Sequence, residues 1–219
     1  IVHGTTITVL NAGRKISKHG EGLGGKLFIT AGLGGMSGAQ PKAANIAGCI
    51  SITAEINPKA THTRYSQGWV DEVIDDLDKL VERVKVAREK KETVSIAFQG
   101  NVVDVWERFA EGDVPVELGS DQTSLHNPWA GGYYPVGVSF EESKRMMAEE
   151  PELFKQKVQE SLRRHVAAIN KCVARFDTYF FDYGNAFLLE SSRAGADIMK
   201  PNGDFKYPSY VQDIMGPMC

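Results

Sequence analysis

The chain has 219 residues, 42% of them hydrophobic and 24% charged, which is the balance of a globular protein able to bury one sizeable core. Its formal net charge of −3, with basic residues scattered through amphipathic stretches, gives no footprint for nucleic acid. No apolar run reaches the ~18 residues of a membrane span and no secretory leader pattern is read; three cysteines without a CxxC pair point to a reducing, cytoplasmic setting rather than a disulfide framework.

In chain order, residues 1–25 stand outside any clear pattern, and "KLFITA" (26–31) follows as a short apolar strand bounded by glycine. An Ala-rich helix is expected over 39–48, then a strand at "ISITAEI" (50–56), stopped by Asn57-Pro58. Apolar residues at 70, 73, 74, 77, 80, 81, 84 and 87 predict one long helix across 69–91. "TVSIAF" (93–98) reads as a third strand, 102–110 as a short helix, and "VPVELG" (114–119) as a fourth strand. A long helical region then carries Phe154, Val158, Leu162, Val166, Ile169, Val173 and Phe176 along one side. "TYFFDYG" (178–184) is the fifth strand, with a helix after it, and the tail beyond Pro201 again lies outside the pattern. Alternating strands and helices predict an α/β fold: an open, doubly wound, mostly parallel, Rossmann-like sheet.

In such sheets ligands sit at the carboxyl ends of the strands. After the first strand comes "TAGLGGMSGAQPKAA", in which Gly32, Gly34, Gly35 and Gly38 form GxGGxxG at the opening of a helix. Bare backbone there lets amides and the helix dipole meet a pyrophosphate. Glu55 ends the second strand close to the ~20-residue offset expected of an acid that accepts hydrogen bonds from an adenine ribose. A carboxylate in that place repels a 2′-phosphate and favours NAD over NADP. Taken alone, this pattern suits an NAD-dependent dehydrogenase domain or a non-catalytic nucleotide-binding module as well as any other NAD enzyme. Cys49 and Cys172 fall on apolar patterns and read as core residues.

Several longer strings narrow the choice: "GLGGMSGAQPKAA", "GN" after the third strand, "DQTSLHNP" with "GGYYP", "FDYGN" and the final "MGPMC". Together they resemble the urocanase family over essentially the whole chain. That resemblance implies hydration of urocanate to imidazolonepropionate in histidine degradation, with tightly held NAD⁺ acting as an electrophile and no net redox change. It implies that Gly34, Gly35, Met36 and Ser37 form the phosphate turn and that Glu55 holds the adenosine ribose. Further cofactor contacts implied are Asn101, Val102, Gln122, Thr123, Ser124, His126, Tyr133, Tyr134 and Tyr183, with Cys219 as the active-site cysteine and no metal. The family's usual arginine five residues after the ribose acid is Ala60 here, which leaves two expectations: the adenosine end is held differently, or Lys59 substitutes as a point charge. The family's chain is more than twice as long, so an NAD-binding domain at 26–200 is expected, flanked by segments 1–25 and 201–219 that lead to a core domain. The resemblance also implies a homodimer in the full-length protein, with this portion inactive by itself.

Overall fold

Runs of apolar and β-branched residues, closed off by glycine, proline or charge, supply the strands of a sheet buried on both faces. A computed structural model describes every residue except His19, Asn185 and Cys219, and for Met218 the backbone alone. Its sheet has six strands: β1 (Leu27–Ala31), β2 (Ile50–Glu55), β3 (Glu72–Ile74), β4 (Val94–Gln99), β5 (Leu118–Asp121) and β6 (Tyr179–Asp182). They lie in the order β3-β4-β2-β1-β5-β6, every neighbouring pair parallel. The α/β, Rossmann-like expectation therefore holds.

Helices cover both faces. α1 (Val2–Ile16), α2 (Ala39–Ala47) and α3 (Pro58–Ser66) take one side; α4 (Leu77–Glu89), α5 (Val102–Glu111), α7 (Pro151–Phe176) and α8 (Phe187–Arg193) take the other, with α6 (Phe140–Glu149) against α7. On the first side Val9, Ala12 and Ala44 meet Phe28, Leu118 and Phe181. On the other, Trp106, Leu162 and Ile169 join Leu27, Ile29, Ile52 and Ile96 in the larger core. Cys49 and Cys172 are buried and unpaired, as core residues.

Three expectations change. The single helix predicted over 69–91 is a strand followed by a helix: β3 pairs with β4, and α4 starts only after Asp76, whose Oδ1 accepts from the amide of Lys79 at 2.8 Å. Strand pairing in the tertiary fold overrides the helical period of Val70, Val73 and Ile74. The strand expected over 114–119 is shifted to Leu118–Asp121, because Pro115 has no amide to give a ladder. Residues 1–25, outside any pattern in the sequence, supply the fifteen-residue α1, packed on α2.

Candidate functional site

From β1 the chain builds one side of the sheet, going to β2, then to the edge strand β3, then back to β4 between them, before it crosses to β5 and β6 on the other side of β1. The reversal leaves a crevice at the carboxyl ends of β1 and β5, where loops diverge rather than cover one another. A cavity of about 240 Å³ opens there, walled by the ends of β1, β2 and β4, the segment after β5, and residues 131–134. Thr30 on β1 and Ser120 on β5 hydrogen-bond across the reversal at 2.9 Å, and Gln40 of α2 donates to Thr30 at 3.0 Å. Those buried links fix the start of α2 against the crevice.

The glycine loop forms one wall. Gly32 has φ +93°, and a Cβ there would stand 2.8 Å from Ser37 Oγ, so glycine is needed. Ser37 Oγ accepts from the amide of Gly34 at 3.0 Å, drawing the loop into a tight turn ahead of α2. The amides of Gly35, Met36 and Ser37 make no hydrogen bond among the described residues. On the opposite side of the loop Arg64 of α3 donates to the carbonyls of Leu33 at 3.2 Å and Gly34 at 2.6 Å.

Glu55 closes the end of β2. Its Oε2 accepts from the amide of Leu33 at 2.7 Å and its Oε1 from the amide of Asn57 at 2.8 Å, so the carboxylate is fixed on the cavity wall. Burial raises its pKa above the ordinary carboxylate value, while the two amides pull in the other direction.

The far wall is held by side chains that tie separate loops together. Asn101 caps α5, its Oδ1 accepting from the amide of Val103 at 2.9 Å, and its Nδ2 donates to the carbonyl of Tyr134 at 2.9 Å. Asp121 Oδ1 accepts from the amide of Thr123 at 3.0 Å and from its hydroxyl at 2.6 Å, setting the turn that presents Gln122, Thr123 and Ser124. Gln122 is buried, and its Oε1 has no partner among the described residues. Tyr133 is buried with its hydroxyl 3.0 Å from His165 Nδ1; burial raises the phenol and lowers the imidazole to about 3.

Of the residues singled out in the sequence, Gly34, Ser37, Glu55, Asn101, Val102, Gln122, Thr123, Ser124, Tyr133 and Tyr134 all line this cavity. Gly35 and Met36 lie at the exposed tip of the glycine loop, the Met36 side chain 66% accessible. His126 is exposed beyond the lining. Tyr183 also lies outside the cavity, its ring stacked on Tyr210 at 5.0 Å. Lys59 points to solvent, and the cation on that side is Arg64, which the sequence did not single out. Cys219 falls outside the described residues.

The donor set fits a nucleotide. Unbonded amides just ahead of a helix suit an anion, a fixed carboxylate suits ribose hydroxyls, and a buried amide oxygen is without a partner among the described residues. Fold and crevice together define a Rossmann-like α/β domain of the nucleotide-binding kind. Residues 1–214 match the family model described as the urocanase Rossmann-like domain. Proteins named probable urocanate hydratase, from Caenorhabditis elegans and Dictyostelium discoideum, are 58% and 61% identical over 99% of this chain and 32% of their own length. The human urocanate hydratase is 55% identical over 99% of this chain and 33% of its length. The chain belongs to the urocanase family. It spans about a third of the length of the curated relatives it matches.

Proposed function

We propose that this chain is the cofactor-binding portion of a urocanate hydratase, a hydro-lyase of histidine degradation that acts in the cytoplasm as a homodimer and contacts neither nucleic acid nor membrane. The observation that carries the reading is the single cavity joining the glycine loop, Glu55 and the Gln122–Thr123–Ser124 turn at the reversal of the sheet. Among the described residues no helix is long and apolar enough to cross a membrane.

In this reading the cofactor is NAD. The amides of Gly35, Met36 and Ser37 bind its pyrophosphate, with Gly34 and Ser37 shaping the turn. Glu55, held by two amides, accepts from the adenosine ribose hydroxyls and disfavours a 2′-phosphate. Asn101 and Val102 bound the middle of the cofactor, and Gln122, Thr123, Ser124, Tyr133 and Tyr134 bound its other side. NAD⁺, when bound, supplies an electrophilic nicotinamide, so that urocanate takes up water with no net hydride transfer. The chain's own part is to orient the cofactor and exclude water from it. We place the cofactor domain at residues 26–200 and read 1–25 and 201–219 as its links to the rest of the protein.

The test is denaturing extraction of the purified whole protein, mass spectrometry of what is released, and loss of urocanate absorbance on mixing. Near-stoichiometric NAD and turnover are expected, with both reduced in Glu55→Ala. Absence of NAD and of turnover in the native protein overturns the reading.

A further inference from the structure

We propose that Arg64 is a positioning residue for the anion-binding face of the glycine loop, a role that rests on the cofactor reading above. Its guanidinium donates to three successive carbonyls: Nε to Leu33 at 3.2 Å, and Nη2 to Gly34 at 2.6 Å and Gly35 at 3.4 Å. No peptide bond of the described residues is cis. In a trans peptide the carbonyl of one residue and the amide of the next point in opposite directions. Drawing the carbonyls of residues 33–35 toward Arg64 therefore turns the amides of 34–36 away from it. The first of these bonds to Ser37 Oγ; the amides of Gly35 and Met36 are left for a ligand.

Other contacts hold the guanidinium in that pose. Nη1 donates to Gln67 Oε1 at 2.9 Å, and the group lies 4.9 Å from the centre of the Trp69 ring. Gly38 makes the space, since a Cβ there would stand 2.2 Å from Arg64 Nε. Among the described residues no carboxylate lies within ion-pair distance of Arg64. Its charge thus remains uncompensated at a loop built for an anion. Lysine offers one point charge and cannot span three carbonyls.

The experiment titrates NAD, ADP and adenosine into the whole protein freed of bound nucleotide, as wild type, R64Q and R64K, with melting temperature and amide exchange of Gly34 and Gly38 followed in parallel. In R64Q, NAD and ADP should weaken by ~10- to 100-fold. Adenosine, which has no phosphate, should change by less than ~2-fold, as Glu55 keeps its place on β2 and its bond to the Asn57 amide when the loop loses its brace. Exchange at the amides of Gly34 and Gly38, which are bonded within the loop, should accelerate while the melting temperature stays within a few degrees. R64K should remain at least ~10-fold weaker than wild type. Unchanged binding of NAD and ADP by R64Q overturns the proposal, as does full recovery by R64K. Equal loss of all three ligands with a lowered melting temperature assigns Arg64 to the fold instead. A wild-type protein that binds neither NAD nor ADP overturns the cofactor reading, and with it the role of Arg64.

Discussion

Asp121 and Asp182 face each other in register at the ends of β5 and β6, both buried. Asp182 accepts from the amides of Gly184 and Leu188, whereas Asp121 Oδ2 has no partner among the described residues. Burial first, then the charge of Asp182, pushes the Asp121 carboxyl from 3.8 up to about 7, against the pull of Thr123. The folded protein then holds this proton at pH values where the unfolded chain has released it. Stability from this group is therefore present at low pH and is lost as pH rises toward 7. Asp121→Asn keeps an oxygen for Thr123 and carries no charge at any pH. It should melt higher than the wild type at pH 8 and level with it at pH 4, read by calorimetry across that range. Parallel pH profiles for the two proteins would refute the assignment. Glu55 gives a second residue-level case, because its two oxygens serve two different amides. Glu55→Gln replaces one acceptor with a donor aimed at an N–H. It should cost ~1–3 kcal/mol of stability and at least ~10-fold in NAD affinity. Denaturant midpoints and ligand titration measure the two effects separately.

Among the elements, β5 and α5 show how closely backbone and side chain meet behind the site. Trp106 is fully buried, and its ring lies against the backbone of Gly119, where a Cβ would stand 2.4 Å from Cη2 and 2.6 Å from Cζ2. Gly119→Ala should destabilise by ~1–3 kcal/mol through overpacking, a loss visible in the unfolding midpoint. Such a constraint cannot be seen in one sequence, since nothing at Gly119 marks which ring will pack on it until α5 is folded against β5. What was legible followed from burial on both faces: β1, β2 and β4 read as continuous apolar runs, and α7 as a long amphipathic stripe. What was missed had local chemistry against it. In α1, Thr5, Thr6 and Thr8 are weak helix formers whose hydroxyls bond back to the carbonyls four residues earlier. β3 spans three residues and carries too little pattern to separate it from the helix behind. In the site, the glycine turn and Glu55 were legible because their spacing is fixed by geometry. Arg64 was not, because a cation one helix away shows no link to the loop until α3 is folded against it.

At the scale of the molecule, the size of the cavity bears on what this third of a urocanase can do alone. About 240 Å³ lies below the ~300–1,000 Å³ of clefts that enclose a drug-sized ligand. A dinucleotide is larger than that, so on the cofactor reading proposed above the walls of this cavity would embrace part of it. The best-built part is the glycine loop with Glu55, which suits the pyrophosphate and adenosine ribose rather than the nicotinamide. The 219-residue chain should therefore bind ADP-ribose and NAD with similar affinity, since the nicotinamide end gains little from it. In the whole protein, by contrast, NAD should bind much more tightly than ADP-ribose if, as that reading requires, the nicotinamide is enclosed there. Urocanate turnover should be absent from the 219-residue chain and present in the whole protein. Calorimetric titration of both ligands into both proteins, with urocanate absorbance followed alongside, tests this division. Robust hydration by the short chain, or a large preference of that chain for NAD over ADP-ribose, would show that a complete nicotinamide and substrate site already lies within it.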